Sequence, residues 1–340
     1  MRSRIPLALV MLSACSRPGS DTTPPQSAIA DATPVSPMIV DSGKDMSDSS
    51  LPMAAIEAGV MDVSYFTALP VRGKSVGHTS VVFKLSLDNG QFAAYKPRSH
   101  VGGERFHGEI AAYRLGQAWG IDNVPPVIAR GFSAADLRGA MDQKALDLFS
   151  REVVVESDGS VRGALIPWIG SLEFLPLETG KERARWGAWL DDADAGELDD
   201  CDASLAAQIS TMILFDTMSG DWDRWSGGNI GSSALGTRNR CDKVLYIDND
   251  GAFFDPVPAA PLAAQFALVK KMTRFSRSFV ASLKTVSEPD LEHAIGDEMP
   301  GKPLLSRKVI DAFFARRRLV IADIDRKTAV HGEASTLSLP

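Results

Sequence analysis

The sequence predicts an α+β fold of two lobes, in which a β-rich first part and a helical second part enclose a cleft. In the first part, apolar residues alternate with polar ones from Val81 to Leu87, and the turn Asp88-Asn89-Gly90 follows. Alternation of this kind ending in Asn-Gly is typical of a β-hairpin. From Ser204 onward, apolar residues recur mainly at helical spacing.

Composition limits the classes of partner. The chain has 340 residues, enough for one large or two modest domains, and 44% of them are hydrophobic. The net charge of −7 does not favour binding to nucleic acid or to an anionic membrane surface. No apolar run reaches the roughly 20 residues that a membrane-spanning helix needs.

The N-terminus has the order of an export signal. Arg2 and Arg4 precede an apolar run from Ile5 to Leu12, and Leu12-Ser13-Ala14-Cys15 follows. That last segment resembles a bacterial lipobox, which predicts that Cys15 is lipidated and begins the mature protein. Ser16 after it favours the outer membrane. An ordinary cleaved signal, or a cysteine there by chance, is the alternative.

The predicted domain organisation has four parts. Residues 1–15 are a lipoprotein signal peptide, and residues 16–55, rich in Ser, Pro, Asp and Thr, are a disordered tether. The two lobes follow at residues 56–170 and 171–330. In an oxidising compartment, the remaining Cys201 and Cys241 form either a disulfide or two buried free thiols.

In the first lobe, a second strand from Gln91 to Lys96 completes the hairpin, and a helix is predicted from Glu104 to Trp119. Gly77, just before the hairpin, lets the backbone approach phosphates closely. A lysine on a strand and Glu109 thirteen residues later on a helix match the pair that orients a kinase lysine towards nucleotide phosphates. The alternative is a surface lysine and a solvated glutamate.

A further hairpin is predicted beyond this helix, with strands from Glu152 to Glu156 and from Val161 to Ile169 around an Asp158-Gly159 turn. The second strand leads into an irregular stretch that suits a hinge between the lobes. Trp168 lies at this hinge, either lining an adenine slot or packing in the core.

The second lobe carries the polar residues of interest. A helix capped by Ser204 runs to Ser219 and leads into a loop with four polar residues, and a short strand then ends at Ile247. The loop residues are Asp221, Asp223, Arg224 and Asn229; Asp248 and Asp250 follow the strand. Oxygen ligands at the ends of ordered elements suit hard cations, and carboxylates beside Asn and Arg favour phosphoryl transfer.

Four more helices are predicted after Phe254. They run near Pro261–Lys271, Arg277–Val286, Glu288–Ile295 and Ser306–Asp325. The run Arg316-Arg317-Arg318 in the last helix is interpreted as a solvated face.

Together these motifs resemble the atypical kinases. Lys96, Glu109 within Gly108-Glu-Ile-Ala-Ala-Tyr-Arg-Leu, Asp223-Arg224 with Asn229, and Ile247-Asp248-Asn249 occur in the order found in secretory-pathway kinases of the four-jointed and Golgi casein kinase type. HipA-like kinases and phosphatidylinositol 3-/4-kinases are more distantly similar. The resemblance spans roughly residues 70 to 325 and implies a two-lobed protein-kinase-like fold.

The resemblance also implies the role of each residue. Lys96 contacts the phosphates of ATP, and Glu109 holds Lys96. Asp223 is the catalytic residue that orients or deprotonates the acceptor hydroxyl. Asn229 and Asp248 bind Mg²⁺ or Mn²⁺ between the phosphates.

The sequence departs from the family pattern at four positions. Trp225 stands where the family often has His, and six positions, rather than the usual five, separate Asp223 from Asn229. Asp221 replaces a common Asn. Asp250 is an added carboxylate, and both it and Asp221 are either metal ligands or solvated neighbours.

The sequence therefore predicts an exported, lipid-anchored kinase that phosphorylates a hydroxyl group of protein Ser or Thr, or of a glycan or small molecule. The alternative is an inactive pseudokinase that serves as a nucleotide-binding or scaffold module. The altered spacing before Asn229 and the scarcity of ATP outside the bacterial cytoplasm favour that alternative. Retention of Lys96, Glu109, Asp223 and Asp248 favours the enzyme.

Overall fold

The computed structural model describes residues 61–76, 80–170, 172–191, 197–233, 241 and 243–340. The predicted α+β class, sheet-rich first and helical second, is confirmed. The predicted signal peptide and tether, including Cys15, lie outside the described residues, as does Gly77. The domain boundaries stay predictions. No helix in the described part of the chain combines the length and the apolar character that crossing a bilayer requires.

Within the described residues, the first lobe contains a five-stranded antiparallel sheet in the order β1-β2-β3-β5-β4. The predicted hairpin is β2 and β3, and Gly90 in its turn has a φ of +82°. Lys96 lies in β3 opposite Ala164 of β5. The strands are β1 (Pro70–Ser75), β2 (Phe83–Leu87), β3 (Phe92–Pro97), β4 (Ile128–Ser133) and β5 (Ser160–Pro167).

Helix α1 (Phe106–Trp119) connects β3 to β4 and ends at Gly120, whose φ of +70° stops the helix in the left-handed conformation. Its inner face is buried against both lobes, with Ile110 and Leu115 fully buried. The helix therefore carries Glu109 into the space between the lobes.

The second predicted hairpin is half wrong: its strand from Val161 to Ile169 is present as β5, but the segment from Glu152 to Glu156 is not a strand. The residues before β5 form α2 (Ala134–Ala140) and α3 (Gln143–Glu152), and β5 pairs with β3 and β4 instead. Asp142 begins α3 by accepting a hydrogen bond from the backbone N–H of Ala145 at 2.8 Å. Beyond Glu152, Val153 forms an isolated bridge with Ser99, and the backbone N–H of Val154 donates to the carbonyl oxygen of Arg98 at 3.0 Å.

The described part of the second lobe has a three-stranded antiparallel sheet in the order β6-β7-β8, a short two-stranded hairpin and seven helices. Asn229 directly precedes β7, and Asp248 follows β8 by two residues. The strands are β6 (Leu172–Phe174), β7 (Ile230–Ser233), β8 (Lys243–Tyr246), β9 (Asp297–Met299) and β10 (Lys302–Pro303). The helices are α4 (Gly180–Trp189), α5 (Asp200–Ser219), α6 (Ala259–Lys271), α7 (Arg277–Thr285), α8 (Glu288–Ile295), α9 (Arg307–His331) and α10 (Glu333–Thr336).

Helix α5 is the centre of this lobe, and its residues from Ile209 to Ser219 are all buried. It begins earlier than predicted, because Asp199 rather than Ser204 is the N-cap: its carboxylate accepts from the N–H groups of Cys201 and Asp202. Gly220 ends the helix with a φ of +71° and turns the chain into the polar loop.

The interpretation of Arg316-Arg317-Arg318 as a solvated face is wrong for two of the three residues. Arg316 donates to the carbonyl oxygen of Met218 at 2.7 Å, and Arg317 donates to the carbonyl oxygens of Leu283 and Val286, each at 2.6 Å. Both arginines are buried, while Arg318 is exposed. These two side chains satisfy the last carbonyl groups of neighbouring helices.

Cys201 and Cys241 are joined in a disulfide. It links the first turn of α5 to the residues just before β8, so it connects the two elements that flank the polar loop. Of the two alternatives open from the sequence, the structure has the bonded one.

Candidate active site between the two lobes

The ammonium group of Lys96 lies among three carboxylates drawn from both lobes. It contacts Glu109 Oε1 at 2.5 Å, Asp248 Oδ1, and Asp250 Oδ2 at 3.4 Å. β3 supplies the lysine, α1 supplies the glutamate, and the turn after β8 supplies both aspartates. Lys96 is 4% exposed. The structure thus brings together three of the predicted site residues and adds Asp250.

Burial and neighbouring charges shift the pKa values of this cluster. Burial opposes the charged form of Lys96, but the neighbouring carboxylates outweigh it, so the pKa of Lys96 lies well above its usual value. Burial likewise opposes ionisation of Asp248, yet Lys96 holds the pKa of Asp248 below its usual value. For Asp250, burial and the charge of Asp248 raise the pKa to about 6.

Asp250 has a second cationic partner, Arg105 at the start of α1. Arg105 Nη2 donates to Asp250 Oδ1 at 2.6 Å, and Arg105 Nε donates to the backbone carbonyl oxygen of Asp250 at 3.2 Å. Asp250 is therefore neither solvated nor isolated. Sequence reasoning missed Arg105, although one signal was present: a cation at the positive end of a helix dipole is unfavourable unless it has a partner elsewhere.

The turn after β8 has a demanding backbone. Asp248 has a φ of +56°, a conformation that residues with a side chain rarely adopt. A Cβ on Gly251 would lie 2.8 Å from Asp221 Oδ1 and 2.9 Å from Asp223 Cβ, so only glycine allows this close approach. On the other side, a Cβ on Gly108 of α1 would clash with the carbonyl oxygen of Asn249. Tight packing at Gly251 thus sets the distance between the loop that carries Asp221 and Asp223 and the turn that carries Asp248.

Asn229 and Asp223 are held together despite the extra residue between them. Asn229 Nδ2 donates to the backbone carbonyl oxygen of Asp223 at 2.9 Å and to Ser226 Oγ at 3.3 Å. Gly227 and Gly228 have φ values of +102° and +79°, so the added length is taken up where glycine permits it. Because Asn229 Nδ2 makes these hydrogen bonds, the amide oxygen Oδ1 is the atom that can ligate a hard cation.

Arg224, which follows Asp223, is a structural anchor. It is fully buried and contacts five groups from three segments. Its partners are the carboxylates of Asp216 at 3.1 Å and Asp221 at 2.9 Å, the carbonyl oxygens of Asn229 at 2.8 Å and Ile247 at 2.5 Å, and Asn249 Oδ1 at 2.6 Å. This single side chain holds α5, the polar loop and the turn after β8 in fixed relation.

Asp221 lies beneath the site rather than in it. Its carboxylate is buried and faces Arg224, and Oδ1 accepts from the backbone N–H of Asp223 at 3.1 Å. Burial raises the pKa of Asp221 to about 8, and the nearby charge of Asp216 adds to the rise. Asp221 is therefore neither a solvated neighbour nor a member of the carboxylate cluster.

Trp225, the residue that replaces a common histidine, packs under α4. Its ring stacks on Trp186 with centroids 5.5 Å apart and planes inclined by 28°, and the guanidinium of Arg183 lies 4.9 Å from its centroid. Trp186 is buried, as is Trp189. Through this stack Trp186 braces the loop that carries Asp223.

An apolar cleft adjoins the cluster. Lys96, Glu109 and Asp248 lie at its polar end, and Trp168 lies on its wall. The cleft is open to solvent on one side, and most of its lining is apolar, as is usual for small-molecule sites. The remaining walls are Ala94, Pro125, Val127, Ile166, Pro167, Ile169, Leu172, Ile247 and Asn249.

The donor set fits a divalent cation. Glu109, Asp248 and Asp250 each offer an oxygen, and these atoms lie within 4.8 Å of one another. Oxygen-only ligands from carboxylates, with an amide oxygen from Asn229 on the facing loop, are what Mg²⁺ and Mn²⁺ prefer. The ligand roles of Asn229 and Asp248 stay predictions, as do the roles of Lys96 and Asp223.

The fold is similar to those of solved kinase structures. The crystal structure of the Golgi casein kinase with Mn/ADP bound has a TM-score of 0.61 at 15% identity, covering 82% of this chain and 80% of that one. The structure of hydra Fam20 with sugar has a TM-score of 0.61 at 17% identity, covering 82% and 93%. The chain has an atypical, secretory-kinase-like fold. At these identities the likeness shows the kinase-like fold alone; no family model and no curated protein matches.

Proposed function

We propose that this protein is a kinase that transfers the γ-phosphate of ATP to a hydroxyl group, using Mg²⁺ or Mn²⁺. The observation that carries the proposal is the Lys96–Glu109 ion pair, which meets Asp248 at the polar end of an apolar cleft. The Asp223–Asn229 loop packs against the same turn. In phosphoryl transfer, positioning and charge neutralisation supply most of the rate, and these residue types suffice for both.

In the proposed mechanism each residue has one task. Lys96, kept charged by its carboxylate neighbours, binds phosphate oxygens, and Glu109 orients it. Asp248 and Asn229 hold the divalent cation, which when bound neutralises phosphate charge. Asp223 accepts the proton of the acceptor hydroxyl as its oxygen bonds to the γ-phosphorus, while the bond to the β-phosphate oxygen breaks and ADP leaves.

The cleft supports nucleotide binding. Its apolar walls, which include Ala94, Ile166, Leu172, Ile247 and Trp168, suit a planar base. The Golgi casein kinase structure holds Mn and ADP, which supports these cofactors here.

Protein Ser or Thr is the proposed acceptor class. Support comes from the name of the Golgi casein kinase neighbour, which indicates a protein substrate for that enzyme. A glycan or small molecule is the alternative acceptor within the same chemistry.

The extra residue before Asn229, which favoured a pseudokinase, does not separate Asn229 from Asp223. The hydrogen bond between them at 2.9 Å keeps the Asn229 amide beside the backbone of Asp223. The structural argument for an inactive module is thereby weakened, and enzyme activity is the better supported proposal.

Export and lipidation at Cys15 remain part of the proposal. The Cys201–Cys241 disulfide supports an oxidising compartment such as the cell envelope, because disulfides persist there and are rare in the cytosol. Outer-membrane attachment through the lipid, with residues 16–55 as the tether, follows the sequence pattern alone.

The test is transfer of label from γ-labelled ATP, with Mn²⁺ or Mg²⁺, to protein and glycan acceptors. Wild type should transfer label, and Asp223→Ala and Asp248→Ala should not. Asp311→Ala, an exposed carboxylate on α9, is the matched control and should act as wild type does. Equal signal from wild type and both site variants would end the enzyme proposal.

A further inference from the structure

Arg105 occupies an unusual place for a cation. It is the N-cap residue of α1, its side chain makes no capping hydrogen bond, and the first turn of a helix repels positive charge. Its side chain is nevertheless ordered by Asp250 through Nε and Nη2. A cation held against the helix dipole by a buried carboxylate indicates a role in the site rather than in the helix.

Part of the Arg105 guanidinium remains available to a ligand. Its centre lies 5.5 Å from the ring of Trp222 and 5.7 Å from that of Phe254, so two aromatic residues fix its plane. Arg105 Nη1 has no hydrogen-bond acceptor among the described residues, and 29% of the side chain is exposed. At least two N–H donors therefore remain for a ligand.

Arg105 and Lys96 line the same chamber. This chamber is lined by both cations, by Asp250, by Ser99 and by the glycine pair Gly102-Gly103, together with apolar side chains such as Val81 and Phe106. Lys96 also lines the apolar cleft. Arg105 also lines a wider groove that reaches Phe253 and Val309. The order in space is thus cleft, Lys96, chamber, Arg105, groove.

From this order we infer that Arg105 binds the terminal phosphate of a nucleoside triphosphate and makes the protein prefer triphosphates over diphosphates. The inference rests on the proposed nucleotide site. With the base in the cleft and Lys96 at the inner phosphates, the phosphate chain continues into the chamber where Arg105 lies. The planar guanidinium matches the geometry of phosphate oxygens, whereas a second lysine would supply only a point charge.

The charge balance supports this assignment. Arg105 and Lys96 face three carboxylates, those of Glu109, Asp248 and Asp250. Divalent cations at those carboxylates would place added positive charge beside Arg105. A terminal phosphate in the chamber offsets that charge and gives the guanidinium a partner besides Asp250.

The test is calorimetric titration of ADP and of a non-hydrolysable ATP analogue, each with Mn²⁺, into the purified protein. Wild type should bind the analogue more tightly than ADP. Arg105→Gln should weaken analogue binding by about 10-fold or more, the effect of one hydrogen bond to a charged group, and leave ADP binding nearly unchanged. Arg105→Lys, which keeps the charge beside Asp250, should lose less. Arg98→Gln removes a nearby arginine that pairs with Glu156 instead, and should bind both nucleotides as wild type does.

Three outcomes would overturn the inference in different ways. Equal weakening of both nucleotides in Arg105→Gln would mean that Arg105 acts only by holding Asp250. An unchanged preference in Arg105→Gln and Arg105→Lys would mean that it contacts no phosphate. Wild type binding neither nucleotide would overturn the proposed function and this inference together.

Discussion

Asn229 and Asp223 are joined by a hydrogen bond of 2.9 Å from the asparagine amide to the aspartate backbone carbonyl. The bond orients the amide by its nitrogen, so the oxygen is the free end. It also spans a loop one residue longer than the kinase pattern that the sequence resembles, and Gly227 and Gly228 in this loop have positive φ values. Metal affinity should therefore depend on Asn229 in spite of the altered spacing.

Asn229→Ala should lower Mn²⁺ affinity in the presence of ADP by roughly 10- to 100-fold, because it removes both a ligand oxygen and the bond that orders the loop. Free Mn²⁺ measured by electron paramagnetic resonance during a titration gives the affinity. Ser226→Ala, which removes only the 3.3 Å partner, should cost much less. Equal affinity in wild type and Asn229→Ala would exclude Asn229 as a ligand.

Gly108→Ala should open the contact between α1 and the turn after β8, since its Cβ would clash with the carbonyl oxygen of Asn249 and lie 3.2 Å from that of Ala252. Overpacking of this kind costs about 1–3 kcal/mol, and nucleotide affinity should fall with it because Glu109 is the next residue. Thermal unfolding and nucleotide titration measure the two effects.

The control for that variant is Gly139→Ala in α2, where an added Cβ would meet no atom within 4 Å. Helix propensity then favours alanine by up to about 1 kcal/mol, so this protein should be as stable as wild type or more so. If Gly108→Ala has the same melting temperature and nucleotide affinity as Gly139→Ala, the close approach of Gly108 to the carbonyl oxygen of Asn249 is not as described.

Replacing both cysteines by serine should lower the unfolding free energy by about 2–4 kcal/mol, because Cys201 and Cys241 close a loop of 40 residues in the unfolded chain. Urea unfolding of the double variant and of oxidised wild type gives the difference. Alkylation of both thiols in unreduced protein, read by mass spectrometry, would contradict the disulfide.

Stability should fall as pH rises from about 4 to about 8, in part because of Asp221. Burial raises its pKa from the ordinary 3.8 to about 8, so the folded protein retains a proton that the unfolded chain has released in this interval. Asp221→Asn cannot ionise, and its melting temperature relative to wild type should become steadily more favourable from pH 5 to pH 8. If the melting temperatures of wild type and Asp221→Asn differ by the same amount at every pH in that range, Asp221 does not titrate in this way.

Features that depend on residues close together in the sequence could be predicted. The Asp88–Gly90 turn needs only residues that tolerate positive φ. Helix α8 has the predicted bounds, and its end signals are local: Ser287 caps it and Pro289 lies in its first turn. The run Val153-Val154-Val155 gave the wrong strand, since β-branched residues favour strands wherever they occur. Just before this run, the Asp142 cap and the buried Ala145 and Phe149 determine α3, which ends at Glu152.

Features that depend on distant partners could not be predicted. The Lys96–Glu109 pair is the contrasting case. These residues are thirteen positions apart on a strand and the helix that follows it, so their pairing could be predicted. Arg105 and Asp250 are 145 residues apart, and nothing local relates them. Arg316 looked solvated because its acceptor, the carbonyl oxygen of Met218, belongs to another helix.

The stack of Trp186 on Trp225 has a practical consequence for spectroscopy. Two indoles with centroids 5.5 Å apart couple their electronic transitions, which gives the protein a circular dichroism signal tied to the segment between Asp223 and Asn229. Ordering of that segment by metal or nucleotide can therefore be followed optically, with no label and no change to any residue that binds or reacts.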